Sequence, residues 1–92
     1  MNKQQLIRAV AQRGDLTVEQ ASQAVNSTLD VITDTLAAGE KVQLVGFGTF
    51  EVRDRAPRQT RNPRTQEVMD VPASRAPVFR PGKPLKDTIA GR

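Results

Sequence analysis

The stretch that decides the fold is Val42-Gln-Leu-Val-Gly-Phe-Gly-Thr-Phe-Glu-Val-Arg-Asp54. Val42, Leu44 and Val45 make a short apolar run closed off by Gly46, which predicts a short strand. Gly46-Phe47-Gly48 can turn the chain sharply, because glycine reaches backbone angles that other residues avoid. Thr49 to Arg53 alternates with a two-residue period, the pattern of a half-buried partner strand. A hairpin is thus expected here, and the rest of the chain is read outward from it.

Upstream, the period changes to that of a helix. Asn2 followed by Gln5 forms a capping-box pattern, and Leu6, Ile7 and Val10 recur at helical spacing up to Gly14, a natural residue to follow a helix end. Thr17-Val-Glu-Gln20 is a second capping box. Ala21, Ala24, Val25, Thr28, Leu29, Ile32 and Leu36 then fall on one helical face, with Glu19, Ser22, Asn26, Asp30 and Thr33 on the other, until Gly39. The prediction is a helical hairpin over residues 1–39.

Downstream, residues 55–75 contain almost no large apolar side chains, yet alternate in a strand-like way near Val68 and Val71. Asn62-Pro63 marks a turn between two halves. A two-stranded arm that projects from the body fits a segment with nothing to pack. Val78 and Phe79 return to the core, and Gly82 opens a short helix with Pro84 in its first turn and Leu85 and Ile89 as its apolar face. The class is α+β: a helical hairpin, a three-stranded antiparallel sheet, a protruding β-ribbon and a short C-terminal helix. A single domain covers 1–92, divided into a helical hairpin (1–39), a sheet and last helix (40–54 and 74–92) and an arm (55–73).

The chain of 92 residues is 37% hydrophobic and has three Phe, no Trp and no Tyr. A domain this small buries only about 60–65% of its unfolded surface, so a self-sufficient core looks thin: part of the chain is disordered, or two copies pool their apolar surface. Cysteine and histidine are both absent, which removes disulfides, thiolate and imidazole metal sites, and triad chemistry that needs His. No secretory leader pattern and no apolar run near the ~18 residues of a membrane span is present.

Charge is distributed unevenly. Residues 1–45 hold four bases against five acids, and residues 46–92 hold ten bases against five acids. A basic half points to a polyanionic partner. Arg53, Arg55, Arg58, Arg61 and Arg64 share twelve positions with one acid, Asp54. All are Arg, whose planar fork suits phosphates and narrow minor grooves better than the Lys ammonium. On a strand Arg53 and Arg55 share a face, as do Arg58 and Arg64, subject to a bulge near Pro57. Charges that merely guard a strand edge are the ordinary alternative; the scarcity of acidic partners speaks against it. Pro63, at the apex beside Asn62, is an ordinary turn residue on its own. Flanked by five Arg it becomes a candidate wedge between base pairs. Arg75, Arg80, Lys83 and Lys86 form a second basic group which, with Lys3, would hold flanking phosphates. Phe47, Phe50 and Phe79 read as core instead of base-stacking platforms, and an arm without aromatics disfavours RNA or single-stranded DNA.

Four segments together resemble the HU/IHF family of bacterial histone-like DNA-binding proteins: Met1-Asn-Lys3, Gly46-Phe-Gly-Thr-Phe-Glu-Val-Arg53, Arg58-x-x-Arg61-Asn-Pro63-x-Thr65 and Phe79-x-Pro-Gly-Lys-x-Leu-Lys86. Within that family the Glu51-Val-Arg-Asp-Arg-Ala56 run is more similar to HU than to IHF. The resemblance implies an intertwined homodimer whose core pools Phe47, Phe50, Phe79, Leu29, Ile32, Leu36 and Leu44. It implies two arms in the minor groove of double-stranded DNA, carrying Arg53, Arg55, Arg58, Arg61, Asn62 and Arg64, with Pro63 as the intercalating tip. Lys3, Arg75, Arg80, Lys83 and Lys86 would contact phosphates on the body. The implied function is bending and compaction of DNA with little sequence specificity, in the bacterial cytoplasm at the nucleoid. Bent, nicked or junction DNA would be preferred. No cofactor, metal, membrane or small-molecule substrate is expected. An IHF-like, site-specific bender is the alternative, and a heterodimer with a paralogue stays open. Catalysis would have to come from Asp54, Glu67 and Asp70, which do not converge in the sequence. Gln66, Asn26, Val18 and Pro84 depart from the family pattern, placing in question the tip geometry, an ion pair with Lys3, one body charge and the last helix.

Overall fold

In the computed structural model, residues 1–91 are described. They form α1 (Lys3–Arg13), α2 (Val18–Ala37), β1 (Val42–Leu44), β2 (Gly48–Arg55), β3 (Arg58–Arg61), β4 (Val68–Val71), β5 (Ser74–Pro81) and α3 (Lys83–Ala90). The α+β class is therefore as read. The chain divides into two compact units, Met1–Thr35 and Leu36–Arg92.

In the first unit both capping boxes form. The Asn2 side chain accepts from the Gln5 N–H at 2.8 Å while Gln5 accepts from the Asn2 N–H at 3.0 Å. Thr17 and Gln20 exchange the same pair of bonds at 3.0 Å each. Each box satisfies two of the orphan donors that every helix N-terminus leaves. The α1 end differs from the expectation at Gly14, which has φ −90° and is not left-handed. Asp15 takes the left-handed place at φ 53°, and the Leu16 N–H returns to the Ala11 carbonyl at 2.8 Å. That is a Schellman ending shifted by one residue, with a short polar side chain tolerating what glycine usually does.

Ile7, Ala11 and Ala21 are the buried apolar residues of this unit, with Val10 and Val25 packed against them. On the polar face of α2 Ser22 and Asn26 are half-buried, and the Asn26 amide donates to the Ser22 hydroxyl at 3.3 Å. Ala24, Thr28 and Leu29, on the apolar stripe, are exposed within one chain. Leu6, Val10, Ala24, Val25, Thr28 and Leu29 instead line an open apolar groove of about 310 Å³.

In the second unit β1, β2 and β5 form an antiparallel sheet in that order, with Phe50 opposite Val42 on one side and Phe79 on the other. Because side chains alternate, Val42, Leu44, Phe50, Val52, Pro77 and Phe79 share one sheet face and Thr49, Glu51, Arg53, Val78 and Arg80 share the other. On the apolar face the Phe79 ring lies 4.8 Å from Phe50 and 5.5 Å from Phe47, both tilted. The face is not covered: Phe47 is 46% exposed, and Leu44 and Phe79 are exposed too. Of the residues expected in a pooled core, only Phe50, Ile32 and Leu36 are even half-buried within one chain, and Leu29 is exposed.

Gly46 turns the hairpin at φ 85°, and α3 follows a Gly82 cap with Pro84 in its first turn, as the sequence implied. Ile89, expected on the apolar face of α3, is 80% exposed.

Candidate nucleic-acid interface

The arm is a separate two-stranded sheet. β3 and β4 pair only with each other, running from Arg58 opposite Val71 to Arg61 opposite Val68. The β2–β5 ladder ends where Arg55 faces Ser74. Between the two ladders lie Ala56-Pro57 and Pro72-Ala73, and neither proline has an N–H to donate. Every residue of β3 is exposed, as expected of a segment with no apolar side to bury.

Arg53 and Arg55 lie on the same face of β2, as expected, since they are two apart. Arg58 and Arg64 do not share a strand face. Arg64 sits in the tip turn, and Arg58 and Arg61, three apart in β3, point to opposite faces of the ribbon. The arm therefore presents Arg on both faces and at its end. Gln59 ties the ribbon across, its amide donating to Asp70 at 3.2 Å.

Pro63 begins the exposed turn between the strands. Around it the Asn62 N–H donates to the Glu67 carbonyl at 2.9 Å, the Gln66 N–H to the Asn62 carbonyl at 2.8 Å, and the Arg64 N–H to the Asn62 side-chain oxygen at 2.9 Å. Gln66 is left-handed at φ 62°. Gln66 in place of glycine thus keeps a conformation that glycine favours, and puts a side chain into the turn.

Three bases have acidic partners, and those of Arg75 and Arg80 lie across the sheet, where the linear sequence conceals them. Glu51, with its side chain only 18% exposed, lies 3.5 Å from Arg53 and 3.7 Å from Arg80. Asp54 and Arg75, opposite one another on β2 and β5, are 3.8 Å apart. Arg75 also donates to the Ala37 carbonyl at the end of α2, at 3.5 Å. The strand register carries this information: once Phe50 is set opposite Phe79, Asp54 falls opposite Arg75. Arg55, Arg58, Arg61, Arg64, Lys3, Lys83 and Lys86 make no ion pair among the described residues. Lys3 opens α1, and Lys83 and Lys86 stand exposed on α3. Lys41, overlooked because it belongs to the near-neutral half, lines one open cleft of about 470 Å³ with Arg80 and Lys83. Among the described residues no cluster of acids could hold a metal ion, and no helix is long and apolar enough to cross a membrane.

A small α+β fold with an aromatic-faced sheet and a detached, Arg-studded ribbon defines a class of nucleic-acid-binding protein. More particularly, the family described as bacterial DNA-binding protein matches residues 1–90, and the chain belongs to it. It is 52% identical over 92 residues to DNA-binding protein HU 1 of Bacillus subtilis, covering the whole of both chains. To DNA-binding protein HU of Geobacillus stearothermophilus it is 54% identical over 89 residues, 97% of this chain and 99% of that one. A structure titled Anabaena HU–DNA cocrystal structure superposes with a TM-score of 0.92 at 42% identity over all of both chains. HU from Thermotoga maritima superposes at 0.70 with 35% identity, over 97% of this chain and 98% of that one.

Proposed function

We propose that this chain is an HU-type architectural protein that bends and compacts double-stranded DNA with little sequence preference. The observation that carries the reading is the two-stranded arm, all but bare of apolar packing, with unpaired Arg55, Arg58, Arg61 and Arg64 around an exposed Pro63. The arm lies in the minor groove, where Arg is drawn to negative potential. Pro63 enters a base step and partly unstacks it, at a cost of a few kcal/mol that the longer wrapped contact offsets. Lys3, Lys41, Lys83 and Lys86 hold flanking phosphates, and counterion release makes the affinity salt-dependent. Arg75 and Arg80 belong to this surface only at the expense of Asp54 and Glu51. Nicked or junction DNA binds better because part of its deformation is already present.

The working unit is a homodimer. The apolar groove on α1 and α2 and the open aromatic face of the sheet need covering, and a second copy supplies matching surfaces. The protein acts at the bacterial nucleoid in the cytoplasm, without a cofactor, and is not an enzyme. Against a catalytic role, the three candidate carboxylates do not converge: Asp54 faces Arg75, Asp70 accepts from Gln59, and Glu67 lies in the tip turn.

Titration of unrelated duplexes of equal length at two salt concentrations tests the reading. Similar affinities falling together with salt are expected. One duplex bound far more tightly than the rest, with little salt dependence, would instead mark a site-specific, IHF-like protein.

A further inference from the structure

We propose that Asn62 is a positioning residue that holds Pro63 at the wedge angle. The inference rests on the wedge reading of Pro63. From Arg53 through Asp70 every residue is exposed except Asn62, which is half-buried although it lies at the far end of the arm. Both of its backbone polar groups and its side-chain oxygen are hydrogen-bonded within the turn. The backbone N–H is given to Glu67, the carbonyl receives Gln66, and the side-chain oxygen receives the Arg64 N–H across Pro63 at 2.9 Å.

That last bond fixes the tip. The pyrrolidine ring sets the φ of Pro63. The side-chain bridge from the residue before to the N–H of the residue after restricts its ψ, as in an Asx turn. With both rotations held, the ring cannot swing aside when base pairs resist its entry. The turn is held firmly enough to keep Gln66 left-handed at φ 62°, a conformation costly for a side chain of this size.

The test uses the full chain and a short duplex of arbitrary sequence with a fluorescence donor and acceptor at its ends. Energy transfer at saturating protein reports the bend, and titration of the same duplex reports the affinity. Asn62→Ala is expected to lower the transfer most of the way to the level of Pro63→Ala. Its affinity should weaken by less than about tenfold, because phosphate contacts supply most of the binding. Asn62→Ser is expected to recover part of the transfer, since a hydroxyl makes the same bridge more weakly. Parent-like transfer in Asn62→Ala, with Pro63→Ala straightened, would overturn the positioning role and leave the wedge standing. Parent-like transfer in both would overturn the wedge itself. Bending and affinity lost together in Asn62→Ala, with no recovery in the serine variant, would make Asn62 a DNA contact or a simple folding residue and would also overturn the proposal.

Discussion

A methyl group at Gly48 would lie 2.6 Å from the Phe79 ring and 2.7 Å from the Arg80 carbonyl. The strand therefore starts on a residue chosen for the absence of a side chain, so that the aromatic ring of β5 can lie directly on the β2 backbone. Gly48→Ala is predicted to destabilise the fold by about 1–3 kcal/mol, the usual range for overpacking, measured by urea unfolding at fixed protein concentration. A parent-like midpoint would mean that Phe79 can move aside and that the aromatic face is looser than described. The sequence offered Gly48 only as part of a turn. Its closeness to Phe79 depends on the pairing of β2 with β5, which no local pattern specifies. The reverse holds for the caps. Asn2 with Gln5 and Thr17 with Gln20 act over three residues and were fully legible, whereas the handover of the left-handed position from Gly14 to Asp15 was not, because both residues tolerate it.

At the scale of elements, strand periodicity identified β2 and the hairpin, and the poverty of apolar residues identified the arm. Periodicity does not say which part of a helical face a neighbour covers. Ser22 and Asn26 are half-buried while Ala24, Thr28 and Leu29 stand open, and Ile89 on α3 is exposed. The apolar stripe was read correctly as a stripe, and a single chain does not fill it. In the arm, five Arg were legible as a run and the shared face of Arg53 and Arg55 with them, but the facing of the other three was not, because the turn takes Arg64 out of the strand and leaves Arg58 and Arg61 on opposite faces. Arg58→Ala with Arg61→Ala is predicted to weaken binding to all duplexes alike. It should also flatten the dependence of log affinity on log salt by about one for each phosphate that is no longer neutralised, read from titrations across a salt series. A weakening confined to one sequence would mean that these side chains read bases.

At the scale of the molecule, the decisive quantity is how little one chain buries. Ile7, Ala11 and Ala21 are its buried apolar residues among those described, while Leu29, Leu44, Phe47, Phe79 and Ile89 remain exposed. Composition anticipated this, since three Phe and no Trp or Tyr leave little with which to build a core. Partner and stability are thus coupled: the thermal midpoint is predicted to fall on dilution, as for any fold that exists chiefly as a dimer, in calorimetry over a wide range of protein concentrations. A midpoint independent of concentration would show that one chain is stable alone. The partners of Arg75 and Arg80 emerge at the same scale, because Asp54 and Glu51 meet them only through the sheet register.

The central claim is that paired arms bend DNA without needing a particular sequence, and ligase-driven ring closure tests it most directly. A duplex of arbitrary sequence, shorter than the DNA persistence length of about 150 bp, closes poorly unaided. With this protein at low salt, monomeric circles are predicted, and they should diminish with Pro63→Ala. Bound DNA that yields no circles would contradict the account, leaving a protein that coats or stiffens DNA or bends it only at a chosen site.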